Sequence, residues 1–339
     1  MRILVYGAGV IGSVYANRLS SGGHQVTMLA RGERLAAIRQ NGLAIEDVVS
    51  GARSVAAVDT VERLGPNDRY DLALIAVRRD QLAAIVRELR ASGQIRVLLF
   101  MLNNPIGSIG LRQALGDRVM LGFPGAGGTR EGNVVRYAMI AQQPTMLGEP
   151  DGKRTYRLRS VAKAFRESTL KTRTYRDMDG WLKAHAFFVT AISGAIYLAG
   201  GDTRRLAENE NILHLMVEGI REGYAAVRAF DHAIAPFALR ILFTWLPRGF
   251  AIRYWRRFFA ADMAEYVFGR HARVAFAEMQ EVANDCRVYV GRNRRRSARA
   301  PSALRGNRRL CERAPSAIRS MTKFEKRQAT SPRLKRVPH

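Results

Sequence analysis

The first twelve residues constrain the fold more than any other part of the chain. Residues 2–6 (RILVY) are apolar after Arg2 and lead directly into Gly7-Ala8-Gly9-Val10-Ile11-Gly12. A GxGxxG motif between a strand and a helix is the fingerprint of dinucleotide binding. The first glycine permits a tight turn, the second leaves room for a pyrophosphate and the third lets the helix pack on the strand. The helix N-terminus then presents unpaired N–H groups to the phosphates, so we expect these six residues to bind a dinucleotide.

Strands and helices alternate through the first 150 residues. Apolar strands are expected at 2–6, 25–29, 71–77, 95–100 and 119–123, with helices at 10–20, 81–89 and 109–115. Continuous apolar strands separated by helices imply a parallel sheet that is covered on both faces. Residues 127–148 have glycine-rich turns around an apolar run and suit additional antiparallel strands at the edge of that sheet.

The pattern becomes helical from residue 156 onward. Helices are expected at 156–167, 179–198, 203–230, 237–259 and 260–287. The predicted fold class is therefore α/β, with a Rossmann dinucleotide-binding domain at 1–150 and an all-helical substrate domain at 151–287. A cleft between the two domains is the expected place for a small-molecule substrate. Residues 288–339 are rich in Arg, Ser, Ala and Pro and are predicted to be a disordered tail.

The net charge of +26 is largely a property of that tail. Residues 287–339 hold seventeen Lys or Arg and two acids. The tail could bind RNA or anionic lipid, but it lacks the interleaved aromatic residues that stack on bases, so no specific nucleic-acid partner is expected. The alternative is an extension without function.

Two apolar stretches are long enough to raise the question of membrane contact, and the cysteines are informative about the cellular compartment. Residues 184–200 are favoured as a buried core helix, because they are short for a span and contain polar side chains. Residues 239–259, interrupted by Pro247 and Gly249, could lie on a membrane surface, but domain helices carrying surface arginines are favoured. Two cysteines, Cys286 and Cys311, cannot form a disulfide framework, and the N-terminus does not resemble an export signal. A cytoplasmic location is therefore expected.

The end of the second strand indicates which dinucleotide binds. NAD-specific folds place an acid there, whereas this chain has Leu29-Ala30-Arg31, with Arg34 one helical turn later. A guanidinium can pair with a 2′-phosphate through two charge-assisted hydrogen bonds. The sequence therefore predicts NADP(H), and the alternative is that Arg31 is a solvated surface charge.

Five segments together resemble the ketopantoate reductase family. They are GAGVIG, LAR, LIAVRRDQ, LNNPIG and WLKAHAFF, in the family's order, and the resemblance covers residues 1 to about 285. It implies reduction of a 2-keto acid by NADPH, here 2-dehydropantoate to pantoate in pantothenate biosynthesis. It also implies that Lys183 is the general acid, which would stabilise the negative charge developing on the carbonyl oxygen. From the residues alone, Lys183 could equally be a surface lysine at a helix end.

Two further positions follow from the resemblance. Asn104, just after the strand expected at 95–100, matches the family's asparagine loop, where the amide contacts cofactor or substrate. Pro105 replaces the usual glycine, so Asn103 could substitute, and a purely turn-forming asparagine pair is the alternative. Arg78, directly after the strand expected at 71–77, stands where the family has a lysine and is expected to contact the cofactor.

The substrate side departs from the family pattern. Phe187 occupies the position of a substrate-binding asparagine, and no acid aligns clearly with a late family glutamate, leaving Glu265 and Glu278 as nearby candidates. His185, Thr190 and Ser193 could supply polar contacts or could simply pack in the core.

Three functions stay open: a ketopantoate reductase, another Rossmann-plus-helical hydroxyacid dehydrogenase with a more apolar substrate, and an inactive NADP(H)-binding sensor. A homodimer is compatible with the sequence. The six histidines and two cysteines show no metal-ligand spacing, so no metal is expected.

Overall fold

The computed structural model describes residues 1–65, 67–92, 94–140, 143–230 and 232–299, without the side chains of 266, 270, 271 and 292–299. The chain divides into two compact units, one spanning Met1–Leu182 and a second that begins at Lys183. Residues 151–182 therefore belong to the first unit, whereas the sequence pattern grouped them with the helical domain. Each unit has its own apolar core.

The first unit contains all the strands of the described chain. They are β1 (Arg2–Tyr6), β2 (Gln25–Leu29), β3 (Leu43–Asp47), β4 (Arg53–Ala56), β5 (Asp59–Val61), β6 (Tyr70–Ile75), β7 (Ile95–Met101), β8 (Val119–Phe123), β9 (Ala126–Glu131), β10 (Val134–Met139), β11 (Thr145–Gly148) and β12 (Thr172–Thr174). The α-helices are α1 (Val10–Ser21), α2 (Gly32–Asn41), α3 (Leu82–Ala91), α4 (Ile109–Leu115), α5 (Tyr156–Glu167) and the start of α6 (Met178–Leu198). Short 3₁₀ helices lie at Arg79–Gln81 and Gly116–Arg118.

The main sheet has eight strands in the order β12-β11-β8-β7-β6-β1-β2-β5. β1 lies near its centre and pairs in parallel with β2 and β6, and β7 continues the parallel set beside β6. The predicted Rossmann fold is confirmed. Because parallel strands end at the same edge, the loops after β1, β2, β6 and β7 all emerge on one side of the sheet.

The prediction for residues 127–148 was partly wrong. β9 and β10 do not extend the main sheet; they form a separate four-stranded sheet in the order β4-β3-β10-β9. Val135 and Tyr137 of β10 are buried while Arg136 between them is partly exposed. Such alternation suits a sheet with one covered face rather than a strand buried between two helical layers. Only β11 joins the main sheet, antiparallel to β8.

The second unit is helical. Its elements after α6 are α7 (Thr203–Glu208), α8 (Glu210–Arg228), α9 (Phe237–Arg240), α10 (Arg248–Ala260), α11 (Asp262–Ala264), α12 (Arg270–Val274) and α13 (Phe276–Arg299), with π-helical turns at Ile241–Trp245 and Glu265–Gly269. The three long helices predicted over 203–287 are therefore interrupted. Asn209 starts α8 by accepting a hydrogen bond from the Ile212 amide at 3.1 Å, and Pro247, which has no N–H, precedes α10.

α6 is the one helix of the described chain that is long and apolar enough to cross a membrane by length and composition. Within the protein, 72% of its apolar window is buried, as in the core helix that the sequence favoured. At the other end of the unit, α13 continues to Arg299, so the first twelve residues of the expected tail are helical. Residues 300–339, with Cys311, lie outside the described residues.

Candidate active site

The three glycines of the loop after β1 differ in the space around them. Gly7 has a φ of +113°, and a Cβ there would lie 2.5 Å from the Ala76 carbonyl oxygen. At Gly12 a Cβ would lie 1.8 Å from the Gly7 carbonyl oxygen, so only glycine fits between the strand and the helix. A Cβ on Gly9 would meet nothing within 4 Å. No steric contact within the protein therefore requires glycine at position 9, and the open space beside it is what close approach of a pyrophosphate needs.

The start of α1 is suited to an anion. Gly9 is the N-cap residue, no side chain caps the helix, and its first turn contains no acid. The first amide groups of a helix have no intrahelical acceptors, and the helix dipole adds positive potential at that end. Val10 and Ile11 belong to this turn and are partly exposed. The loop therefore has both the space and the donors for a diphosphate, and the residues fit the cofactor that the sequence implies.

Arg34 braces this loop. Its Nε donates to the Ala8 carbonyl oxygen at 3.3 Å and its Nη2 donates to Ser13 Oγ at 3.1 Å. Burial, together with the nearby Arg130, lowers the pKa of Arg34. From the sequence, Arg34 was a companion of Arg31 one helical turn later, whereas its guanidinium is directed to the glycine loop.

Arg31 lies between β2 and α2, and its guanidinium is hydrogen-bonded to Glu88, a residue that the sequence did not indicate. Its Nη2 lies 3.2 Å from Glu88 Oε2 and 3.3 Å from the Tyr6 hydroxyl, and its Nε donates to the Glu62 carbonyl oxygen at 3.3 Å. Tyr6 also donates to Glu88 at 2.5 Å. Burial and the Glu88 carboxylate raise the pKa of Tyr6 to about 12.

The Arg31 side chain nevertheless stays 60% exposed, so its guanidinium is accessible to a ligand. The sequence did not point to Glu88. It lies in α3, 57 residues away from Arg31, and no motif or spacing connects the two.

The two remaining cofactor candidates also follow parallel strands of this sheet. Arg78 comes three residues after β6, and its guanidinium pairs with Asp80, with Nε 3.2 Å from Oδ1. Asn104 follows β7 in the chain. Its side chain is buried and donates from Nδ2 to the Gly107 carbonyl oxygen at 2.9 Å. Asn104 thus closes its own turn, while Asn103 beside it is buried as well.

The loop that contains Asn103 and Asn104 is hydrogen-bonded to the first turn of α6, within the first unit. The Ser108 amide, at the end of this loop, donates to Asp179 Oδ1 at 2.8 Å. Asp179 lies in the first turn of α6, and Lys183 follows it one turn later on the same helix. This bond fixes where α6 begins with respect to the loop after β7.

Lys183 is 4% exposed, which is exceptional for a lysine. Its Nζ lies 5.9 Å from the centroid of the Tyr289 ring, within cation–π range. Phe187, one turn along α6, lies 6.0 Å from the same ring and packs directly over Gly223. Lys183 is therefore buried beside the Tyr289 ring and does not extend along the surface as a lysine at a helix end would.

The other polar candidates, on α6 and on later helices, are buried or interact with other side chains of the protein. Thr190 and Ser193 are buried in α6, and burial lowers the pKa of His185 to about 3, so this ring is neutral at ordinary pH. Glu265 is hydrogen-bonded to Arg273. Burial and, to a lesser degree, the carboxylate of Glu278 raise the pKa of Tyr197. In the part of the chain that the structure describes, no three His, Cys, Asp or Glu side chains converge as a metal site would require.

Comparison with known proteins agrees with this geometry. Residues 3–152 match the family model described as ketopantoate reductase PanE/ApbA. The amino-terminal domain belongs to the ketopantoate reductase family. This family contains oxidoreductases that act on CH–OH groups, and the enzyme class expected from the sequence is confirmed at that level.

The resemblance extends beyond the matched domain. The 2-dehydropantoate 2-reductase of Pyrococcus horikoshii is 26% identical over 252 residues, which cover 71% of this chain and 79% of that protein. The crystal structure of 2-dehydropantoate 2-reductase from Geobacter metallireducens has a TM-score of 0.69 at 20% identity, covering 93% of this chain and 100% of that one. D-mandelate dehydrogenase in complex with NADH and anilino(oxo)acetate has a TM-score of 0.66 at 14% identity, covering 95% and 99%. At these identities the two structures establish a shared fold.

Proposed function

We propose that the protein reduces a 2-keto acid with NADPH, and that 2-dehydropantoate is the substrate and pantoate the product. The observation that carries the proposal is Lys183, a lysine buried at the start of α6 in a chain whose first loop is built for a dinucleotide. The catalytic role of Lys183, and those of Arg31, Arg78 and Asn104 toward the cofactor, are parts of this proposal. Pantothenate biosynthesis in the cytoplasm would be its setting.

The chemistry assigned to the chain's own groups is simple. A nicotinamide coenzyme held by the glycine loop and the start of α1 would supply the hydride that reduces the substrate carbonyl. Lys183 donates a proton from Nζ to the carbonyl oxygen as negative charge develops there, and the neutral amine then regains a proton from solvent. The Tyr289 ring attracts the ammonium form of Lys183 and limits where its Nζ can go. Asn104 and Lys183 are the residues that we assign to the substrate.

The coenzyme preference rests on Arg31. No acid ends β2, and the Arg31 guanidinium could pair with a 2′-phosphate if it left Glu88. We expect Arg31→Ala to weaken NADPH binding about tenfold and to leave NADH binding nearly unchanged, as for the loss of one charge-assisted contact. Glu88→Gln is the matched variant and should strengthen NADPH binding. Titrations of both coenzymes that change equally in Arg31→Ala would refute the preference.

A more apolar keto acid is the second candidate substrate. By the family resemblance, Phe187 stands in place of a hydrogen-bonding side chain, and its ring lies 6.0 Å from the Tyr289 ring that Lys183 approaches. An unmet hydroxyl of the substrate would cost about 1–3 kcal/mol, so a substrate without that hydroxyl could be preferred. D-mandelate dehydrogenase, which shares the fold and has been solved with NADH and anilino(oxo)acetate, is consistent with the same choice.

NADPH oxidation by the purified protein would test these functions together. The panel would contain 2-dehydropantoate, phenylglyoxylate and 2-oxoisovalerate. Turnover that is highest with 2-dehydropantoate supports the first candidate, and turnover that is highest with phenylglyoxylate supports the second. NADPH binding without turnover on any acid would refute both and leave an NADP(H)-binding sensor. Light scattering of the same preparation would test whether it is a homodimer.

A further inference from the structure

α10 has two faces of opposite character. Its buried face, formed by Ala251, Ile252, Trp255 and Phe259, packs in the core of the second unit. Its other face carries Phe250, Arg253, Tyr254 and Arg257, at the i, i+3, i+4, i+7 spacing that aligns side chains along one side of a helix. Phe250 is 57% exposed and Tyr254 is 49% exposed. Aromatic and cationic side chains therefore alternate along the outer side of this helix.

The segment before α10 adds to this composition. Phe237 and Trp245 are both more than half exposed, and their rings meet edge to face with centroids 5.8 Å apart. The Arg240 guanidinium lies 5.0 Å from the Trp245 centroid and 6.0 Å from that of Phe237. We refer to Phe237, Arg240, Trp245, Phe250, Arg253, Tyr254 and Arg257 together as the aromatic–arginine surface.

All the charged side chains of this region are cationic. Residues 237–260 contain five arginines and no acid. Arg248 and Arg256 are neutralised by Glu218 and Glu210 of α8, at 2.5 and 2.6 Å. Among the described residues, no acidic side chain pairs with the three arginines of the aromatic–arginine surface. A partner that complements this surface must therefore be both anionic and able to take up exposed aromatic rings.

Three kinds of partner can be compared with this surface: a second copy of the chain, a nucleic acid and a lipid membrane. A second copy of the chain meeting this surface through a twofold axis would bring together two cationic surfaces, with no acidic side chain in residues 237–260 to offset the charge. Nucleic-acid bases need free ring faces for stacking, whereas one face of Trp245 is covered by Arg240 and its ring is abutted by Phe237. At a lipid interface, aromatic side chains enter the boundary between headgroups and acyl chains while arginines remain at the level of the phosphates. We propose that the aromatic–arginine surface docks the protein onto anionic phospholipid.

Trp245 provides a reporter that belongs to this surface alone. The chain has three tryptophans. Trp181 and Trp255 are each 3% exposed, whereas Trp245 is 58% exposed. Vesicles of phosphatidylglycerol and phosphatidylcholine added to the full-length protein should shift its fluorescence to the blue, and brominated lipid should quench it. Residues 288–339 contain no tryptophan, so their electrostatic attraction to the vesicles would not give this signal.

Variants separate the surface from general basicity. Phe250→Ser with Tyr254→Ser should lower the partition coefficient onto these vesicles about tenfold, equivalent to about 1.4 kcal/mol. Tyr156→Ser, which removes a 79% exposed aromatic from α5, is the matched control and should leave the partition coefficient unchanged. The proposal is overturned if vesicles do not shift Trp245, if the double variant partitions like wild type, or if a single-stranded oligonucleotide shifts Trp245 while vesicles do not.

Discussion

Replacing Gly9 with alanine should separate ligand binding from folding. The alanine Cβ would meet nothing within 4 Å, and Gly9 has φ −77° and ψ −166°, which alanine adopts freely. The chief structural cost is a poorer N-cap for α1, so we expect the free energy of unfolding to change by less than about 1 kcal/mol. The added methyl group nevertheless occupies the space through which a pyrophosphate would approach the α1 amides.

The expected loss of affinity follows from those amides. Two charge-assisted hydrogen bonds to phosphate, at about 1.5 kcal/mol each, amount to roughly 3 kcal/mol. The dissociation constant for NADPH should therefore rise about a hundredfold. Calorimetric titration with NADPH measures this constant, and urea unfolding of the same variant measures its stability.

Gly12→Ala is the control, because its Cβ would lie 1.8 Å from a backbone oxygen that cannot move independently. It should destabilise the protein by about 2 kcal/mol or more. The reasoning is refuted if Gly9→Ala binds NADPH as tightly as wild type. It is also refuted if Gly9→Ala is destabilised as much as Gly12→Ala, since the two glycines would then have the same structural role.

Two further predictions concern stability. Glu149 is 2% exposed and accepts hydrogen bonds from Arg157, so Arg157→Met should cost about 3 kcal/mol in urea unfolding, and Arg157→Met with Glu149→Leu should cost less. Equal costs would contradict the importance of the unpaired carboxylate. Burial lowers the pKa of His185 from 6.5 to about 3, so on acidification the unfolded chain takes up this proton before the folded protein does. The contribution of His185 to stability is thus complete above pH 6.5 and is lost as the pH falls toward 3, with a loss of about 2 kcal/mol near pH 5. His185→Gln should remove this part of the acid destabilisation, which is measured by urea unfolding at neutral pH and at pH 5.

The parts of the fold that were predictable are those with continuous local patterns. β1, β2, β8, α4 and α5 have the bounds expected from the sequence, because each is an uninterrupted apolar or amphipathic run between turn residues. The steric roles of Gly7, Gly9 and Gly12 were also predictable, since they depend on a strand, turn and helix within twelve residues.

Features that depend on distant residues were not predictable. The pairing of β10 in parallel with β3 joins segments about ninety residues apart, and neither segment specifies the other. The contacts of Arg31 with Glu88 and of Lys183 with Tyr289 are of the same kind, created by packing between separate helices or strands. The breaks at Asn209 and Pro247 had local signals, but the apolar periodicity continues across both positions.

The central claim, that Lys183 donates the proton in reduction of a 2-keto acid, is tested most directly by the rate of NADPH oxidation in wild type and Lys183→Met. With 2-dehydropantoate as substrate, wild type should form pantoate, identified by mass spectrometry, and Lys183→Met should be slower by about 10²–10⁴-fold while binding NADPH with unchanged affinity. Equal rates in the two proteins would contradict the role of Lys183, and NADPH binding without oxidation by any 2-keto acid would contradict the proposed reaction.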